Sequence, residues 1–170
     1  MRLFYALLFD EDTLDACTEI QHSIESYLRK GNATMKSNMH VTLAFLGEQN
    51  RSDLPLFELI LASLPSKEIK LSFDHIDSFP KQGGDIIYLG VAYQDALFQL
   101  QKTLVAMLQT QHVVFKDTHF KAHITLYRRA RFESLPAIKP FKKRATQIAL
   151  MQSHRVDGVL TYTPLFSKPI

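Results

Sequence analysis

The amino-acid sequence predicts an α+β fold: two pseudo-symmetric lobes, each a mostly antiparallel sheet with helices on its outer face, and a cleft between the sheets. Three observations predict it. Strand-like runs outnumber helical ones, and many lie close enough in sequence to pair antiparallel. The order strand, helix, loop, strand occurs twice at one spacing, Tyr5 lying 35 residues before His40 and Tyr88 lying 35 before His123. The runs HVTLAFLG, from His40, and HITLYRRA, from His123, repeat the polar pattern His-x-Thr inside apolar strands. A unit this long is no solenoid repeat, so it reads as a duplication: one domain over 1–170, with lobes of roughly 1–80 and 81–170.

The elements follow in order. RLFYALLF is a strand, and DEDTLDACTEIQHSIESYLRKG a helix with acidic residues at its start and Gly31 just past its end. Leu14, Cys17, Ile20, Ile24 and Tyr27 or Leu28 give that helix its apolar stripe. The polar loop NATMKSN leads to the first His-x-Thr strand, a second helix spans about Leu54 to Leu64, and IKLSFDHIDSF is a strand. DIIYLGVAY then reads as a strand, QDALFQLQKTLVAMLQT as an amphipathic helix, VVFKDTHFK as a short strand and loop, and AHITLYR as the second His-x-Thr strand. ATQIALMQSHRV and VLTYTPLF close the chain as a hairpin turned at Asp157-Gly158.

Composition excludes several classes. With 46% hydrophobic and 22% charged residues the chain is neither disordered nor fibrous, and its longest apolar runs are too short to cross a bilayer. The cationic start runs into Asp10-Glu11-Asp12 without a cleavage-site pattern, so a cytoplasmic protein is expected. Cys17 is a lone cysteine and reads as a small core residue. The net charge of +3 is unevenly spread, for the segment from Lys116 to Arg144 holds nine basic residues against Asp117 and Glu133. That excess marks either a solvated basic face or a surface for anions, with its densest stretch from Lys139 to Arg144.

On a strand, residues i and i+2 share a face. His40 and Thr42 therefore point one way while Val41, Leu43 and Phe45 supply core on the other, and the same holds for His123 and Thr125 against Ile124 and Leu126. If the lobes pack about an approximate two-fold, the polar faces meet as a pocket of two imidazoles and two hydroxyls. Such a set suits proton transfer at a phosphodiester: one imidazole accepts a proton, the other donates one, and the hydroxyls hold anionic oxygens. Seven His and eleven Thr make a single His-x-Thr unremarkable, but two at one offset are hard to obtain by accident. His22, His75, His112 and His154 read as surface or satisfied histidines. His119 and His123 have the spacing of a helical zinc pair, but their surroundings read as extended and no carboxylate or cysteine cluster joins them, so no metal and no cofactor is expected.

HVTLAFLG and HITLYR resemble the paired motifs of the 2H phosphoesterase superfamily, and within it the RNA 2′,3′-cyclic phosphodiesterases, also called 2′-5′ RNA ligase-like. The resemblance extends over nearly the whole chain, through RLFYALLF, through Ser78-Phe79-Pro80 followed by IIYLGV, and through the hairpin MQSHRVDGVLTYTPL. It implies His40 and His123 as the catalytic acid and base, leaning to His123 as base, with Thr42, Thr125 and Arg128 binding the phosphate. It implies metal-independent opening of a 2′,3′-cyclic phosphate on RNA or a nucleoside to a 2′-phosphomonoester. The partners expected are RNA ends or nucleotides carrying that group, with no membrane and no obligate protein partner. Two alternatives stand beside this: reversible 2′-5′ ligation in the same site, and a non-catalytic RNA or nucleotide-binding module on the same fold. Arg128 falls five residues after His123, an offset that needs a bulge to bring it to the histidine's face. Relatives often have proline before the second histidine, where this chain has Lys121-Ala122; Lys121 reads as a surface lysine. Phe79 or Tyr88 is a candidate to stack on a base.

Overall fold

In a computed structural model, which describes residues 1–116 and 119–170, nine strands and three α-helices are found among the described residues. Strand β1 (Arg2–Leu8) leads to α1 (Glu11–Ser23), β2 (Leu28–Ala33), β3 (Val41–Glu48) and α2 (Leu54–Ser63). Then come β4 (Lys70–Phe79), β5 (Asp85–Val91), α3 (Asp95–Thr110), β6 (His123–Phe132), β7 (Phe141–Arg144), β8 (Gln147–Val156) and β9 (Val159–Pro169). All pairings are antiparallel, in the order β7-β4-β5-β6-β3-β1-β8-β9, with β2 on β6.

The order is symmetric about the β3–β6 junction. Equating β1 with β5 and β3 with β6 also equates β8 with β4, because each lies outside its opening strand. The strands cross over between chain halves: β4, from before residue 80, adds to β5, and β8, from the chain's end, adds to β1. The junction itself is a single residue pair, Val41 with Ile124. Beyond it β3 and β6 diverge, and β2 takes up the freed edge of β6 from Tyr127 to Phe132.

Strand β1 is buried on both faces, which is why its sequence is a continuous apolar run. Leu3, Tyr5 and Leu7 enter the main core under the helices, while Phe4 and Ala6 join Ala149 and Met151 in a smaller cluster beneath the cleft. Helix α3 buries Leu97, Leu100, Leu104 and Leu108, one stripe at helical spacing, and packs on β3. Helix α2 packs on β8 and β9, and the Tyr5 hydroxyl donates to the Phe57 carbonyl at 2.7 Å to fix it over β1. The Asp157-Gly158 turn has φ of 49° and 80°, the doubly positive pair that suits a two-residue hairpin, as the sequence predicts.

Two expectations are corrected, the end of the first helix and the strand in VVFKDTHFK. The first helix ends at Ser23, not near Lys30; Glu25–Tyr27 is a 3₁₀ turn and Gly31 lies within β2. Helical spacing continues to Leu28 only because β2 also needs apolar contact there, and Ile24 is buried beyond the helix end. The described parts of VVFKDTHFK are not strand, with Asp117 and Thr118 outside the described residues. The tract Lys139 to Arg144 contains edge strand β7, paired to β4, and Arg144 meets Glu68 at 3.8 Å. Cys17 is fully buried, and burial pushes its thiol up to about 12, which makes it core.

Gln21 shows why α1 stops where it does. Its buried amide Nε2 donates to the Thr34 carbonyl at 2.9 Å and the Leu126 carbonyl at 2.8 Å, tying α1 to the point where β6 bulges, and the Tyr127 hydroxyl donates back to the Gln21 carbonyl. Gln21→Ala removes the donor to the Thr34 carbonyl and leaves the Leu126 carbonyl with the Thr34 amide alone, and is expected to lower stability by about 1–3 kcal/mol. Urea unfolding would read this as a lower midpoint at unchanged slope, whereas an unmoved midpoint would refute the role.

Candidate active site

The Val41–Ile124 pair sets the site. Both side chains are fully buried in the core, so their neighbours in sequence face the cleft: antiparallel register brings His40 across from Thr125 and Thr42 across from His123. The two histidines occupy the diagonal of that four-residue patch, which in a regular ladder spans about 7–8 Å. Each imidazole is pinned the same way. His40 Nδ1 lies 2.7 Å from the Asn38 carbonyl, and His123 Nδ1 lies 2.6 Å from the Lys121 carbonyl, both two residues back. A carbonyl can only accept, so Nδ1 carries the proton in both rings and Nε2 is left with its lone pair. The His40 Nε2 accepts from the Thr42 hydroxyl at 3.0 Å.

Neither ring stands in water. His40 rests between Phe4 and Tyr162, ring centroids at 4.9 and 5.2 Å. Asn38 braces this cradle, donating to the Leu160 carbonyl at 2.8 Å and accepting from the Tyr162 amide at 3.1 Å. Burial pushes the His40 imidazole down to about 4, against the partial support of its bond to Asn38, and the Arg128 charge, with that of His123 when protonated, lowers it further. His123 packs against Phe79 and Tyr88 at 5.0 and 5.1 Å, and burial lowers it in the same direction, with Arg128 and Lys121 adding to the effect. Both rings are therefore neutral at pH 7 in the free protein.

Two departures from strict alternation shape the walls. In β3 the register with β1 slips at Leu43 and again at Leu46, so Phe45, expected in the core, turns onto the face of Thr42 and is half exposed, with the Arg2 guanidinium 5.0 Å from its ring centre. In β6 the register slips at Leu126, where Ile87 pairs Tyr127 and Tyr88 pairs Thr125. That is the bulge the five-residue offset demands, and it brings Arg128 round to the wall that carries His40 and Thr42. Thr125 shares this face by register and is half-buried.

The cleft has a central cavity of about 580 Å³ holding His40, Thr42 and Arg128, with Arg2, Lys81 and Ser153 also on its wall and no carboxylate. A flanking cavity of about 450 Å³ holds His123 and shares Thr42, Phe45, Lys81 and Ile86 with it. Phe79 lines this second space, whereas Tyr88 is fully buried beneath, stacked on Phe79 at 4.3 Å, and is core. Lys121, which reads as a surface lysine, lines the same cavity: its Nζ lies 4.9 Å from the Tyr88 ring centre and 3.7 Å from Asp77, to which the Tyr88 hydroxyl donates at 3.1 Å. The residues Lys139, Lys142, Lys143 and Arg144 line neither cavity. Arg2, Phe4, Lys81 and Tyr162 carry no local signal in the sequence, since only pairing between distant strands brings them here.

Comparison with known proteins places the chain in a family. The family described as LigT like Phosphoesterase matches residues 8–88. An RNA 2′,3′-cyclic phosphodiesterase of Archaeoglobus fulgidus is 30% identical over 129 residues, 75% of this chain and 72% of that protein. The chain belongs to the LigT-like phosphoesterase family. A second family member, an RNA 2′,3′-cyclic phosphodiesterase of Thermus thermophilus, is 28% identical over 76% of this chain and 69% of its own length. The family fold extends over the whole chain: a crystal structure of a phosphoesterase superposes with a TM-score of 0.86 at 24% identity, covering 99% of this chain and 97% of its own. Apo LigT of E. coli gives a TM-score of 0.80 at 24% identity over 99% and 96%.

The neutral, half-buried state of His40 has a consequence for stability. Because its folded value lies below the unfolded 6.5, its contribution is fully present above about pH 6.5 and is lost as pH falls towards 4, amounting to about 3 kcal/mol. Urea midpoints measured across this window should fall, and should fall less in His40→Gln; the same fall in both would refute the assignment.

Proposed function

We propose that this protein hydrolyses RNA or nucleoside 2′,3′-cyclic phosphates to 2′-phosphomonoesters without a metal, using His40 and His123 as the acid and base. The observation that carries this is the pair of Nδ1-pinned imidazoles flanking the Val41–Ile124 pair, beside a cavity whose charged wall residues are all cationic. A site that only bound phosphate would need the cations but not two titrating rings whose Nε2 atoms carry a lone pair. The names of the relatives support the substrate, and E. coli LigT, which shares the fold, has been crystallised with 3′-AMP.

The assignment of roles follows from ribose geometry. With the cyclic phosphate in the central cavity, held by Thr42 and Arg128 and by Thr125 from the same face, the base stacks on Phe79 in the flanking cavity beside His123. The base hangs from C1′, next to C2′, so O2′ lies towards His123 and O3′ towards His40. Water then attacks phosphorus with its proton taken by His123 Nε2; His40, protonated, gives its proton to the departing O3′ and the phosphate stays on O2′. The direction agrees with the family resemblance. Entry of a 5′-hydroxyl RNA end in place of water, its proton taken by His123 and O3′ again protonated by His40, would give 2′-5′ ligation, and the roles exchange in the reverse cleavage.

Turnover of a 2′,3′-cyclic mononucleotide in excess EDTA, followed by phosphorus NMR, should yield the 2′-isomer; an unchanged cyclic ester with RNA still bound would leave only a binding module. His40→Ala and His123→Ala should each lower kcat by about 10²–10⁴ while melting cooperatively, and near-normal turnover in either would contradict the pairing. Since both free imidazoles are held below 6.5, kcat/KM should rise as pH is lowered from about 8 to about 6, and a profile flat over that range would count against an imidazolium acid.

A further inference from the structure

Beside the central cavity lies another of about 500 Å³, which shares Arg128, Leu160 and Tyr162 with it. It is on the side of His40, opposite the cavity of Phe79 and His123. Its wall carries three guanidinium groups, Arg128, Arg129 and Arg155, and no carboxylate. Among the described residues none of the three pairs with an Asp or Glu, while elsewhere Arg29 meets Glu133 and Arg144 meets Glu68. Arg155 Nη1 donates to the Gly158 carbonyl at 2.5 Å, which fixes its side chain across the hairpin turn. Three unneutralised guanidinium groups on one wall repel each other, and a phosphate is the anion their planar donors fit.

The backbone is bent to make this wall. Consecutive residues of a regular strand face opposite sides, so Arg128 and Arg129 line one cavity only where the strand is broken. Asp85 pairs with Ala130 and Ile87 with Tyr127, which leaves an extra residue in β6, and Arg129 takes up the slack at φ 53°. That conformation is uncommon for a residue with a Cβ and stores about 1–2 kcal/mol of strain. It is accommodated by Gly84 at φ +125°, where a Cβ would lie 2.6 Å from the Arg129 carbonyl carbon. On the facing strand, Ser153 lines the central cavity and Arg155 the next one. They share a face two residues apart, a strand rise of about 7 Å, comparable to the step between neighbouring phosphates of an extended RNA strand.

We infer that the Arg129–Arg155 cavity is a subsite for a second phosphate, the one 5′ to the terminal nucleoside, so that the preferred substrate is an oligoribonucleotide end and not a cyclic mononucleotide. This rests on the function proposed above. In ribose the base leaves from C1′ and the 5′ chain from C4′, on opposite sides of the C2′–C3′ edge that bears the cyclic phosphate. A base beside His123 therefore sends the 5′ phosphate past His40, towards the three arginines. In the flanking cavity Lys121 is held by Asp77 over the Tyr88 ring, and Phe79, Phe115 and Phe120 make that wall more apolar than the arginine wall.

The test compares Arg155→Ala and Arg129→Ala with the wild type on 2′,3′-cyclic AMP and on a short oligoribonucleotide ending in a 2′,3′-cyclic phosphate. Both side chains are exposed, so the variants are expected to fold. The wild type should favour the oligonucleotide, and each variant should raise its KM by about tenfold with kcat unchanged, while cyclic AMP kinetics stay as they were. The plot of log KM against log salt should become shallower by about one phosphate contact. Unchanged KM on the oligonucleotide, or an equal loss on both substrates, would overturn the subsite. Should the wild type turn over neither substrate, the proposed function fails; binding of an oligonucleotide ending in a 2′-phosphate, weakened by Arg155→Ala or not, then decides the subsite by itself.

Discussion

One backbone pair, Val41 with Ile124, is where the two sides of the sheet meet. Two long runs of antiparallel pairing lie to its left and right, and almost none crosses it. Had β3 and β6 stayed paired along their lengths, the His-x-Thr faces would lie on a closed sheet with room only for side chains. Had they not met at all, the two imidazoles would have no fixed separation. A single pair, with both side chains locked in the core, holds the polar residues close and lets the strands diverge into a cleft. The freed edge of β6 is not left bare, because β2 pairs with it and Gln21 caps the turn-off at Leu126 and Thr34.

Irregularity in the strands decides which side chains reach that cleft. Without the slips in β3, Phe45 would sit in the core; without those in β6, Arg128 would face the helices and Arg129 the opposite side. The pleat permits every second residue to contribute, and the bulges add residues that the pleat forbids. The strain at Arg129 and the tight approach of Gly84 mark the place where the chain departs furthest from regular strand, and that place lies against the cleft.

This division explains what the sequence made legible. The His-x-Thr pairs, the hairpin turn and the amphipathic stripe of α3 are local signals, each contained in a few residues, and the strand and helix order follows from them. The need for a bulge before Arg128 was also legible, because counting faces from His123 to Arg128 gives the wrong parity. Its position at Leu126 was not, since that depends on which residues of β5 lie alongside. Arg2, Lys81 and Tyr162 come to the cleft from strands or loops far apart in sequence, and no local pattern distinguishes them from surface residues. The overextended first helix has the same origin: spacing alone cannot tell an apolar residue buried by a helix from one buried by the strand that follows.

The cations and the apolar cradle act on the histidines together. Phe4 and Tyr162 remove water from His40, and Arg128 adds repulsion, so the free site holds its rings neutral. A phosphate group entering the same cavity reverses both effects: it offsets the guanidinium charge and offers an anionic oxygen to a protonated Nε2. Under the proposed mechanism, the proton needed by the leaving oxygen is favoured only when the anion that requires it is bound. A water-exposed histidine near its ordinary value would be partly charged whether or not substrate were present, and would lack this coupling. Placing the proposed acid beside fixed positive charge would thus tie its protonation to occupancy of the proposed phosphate site.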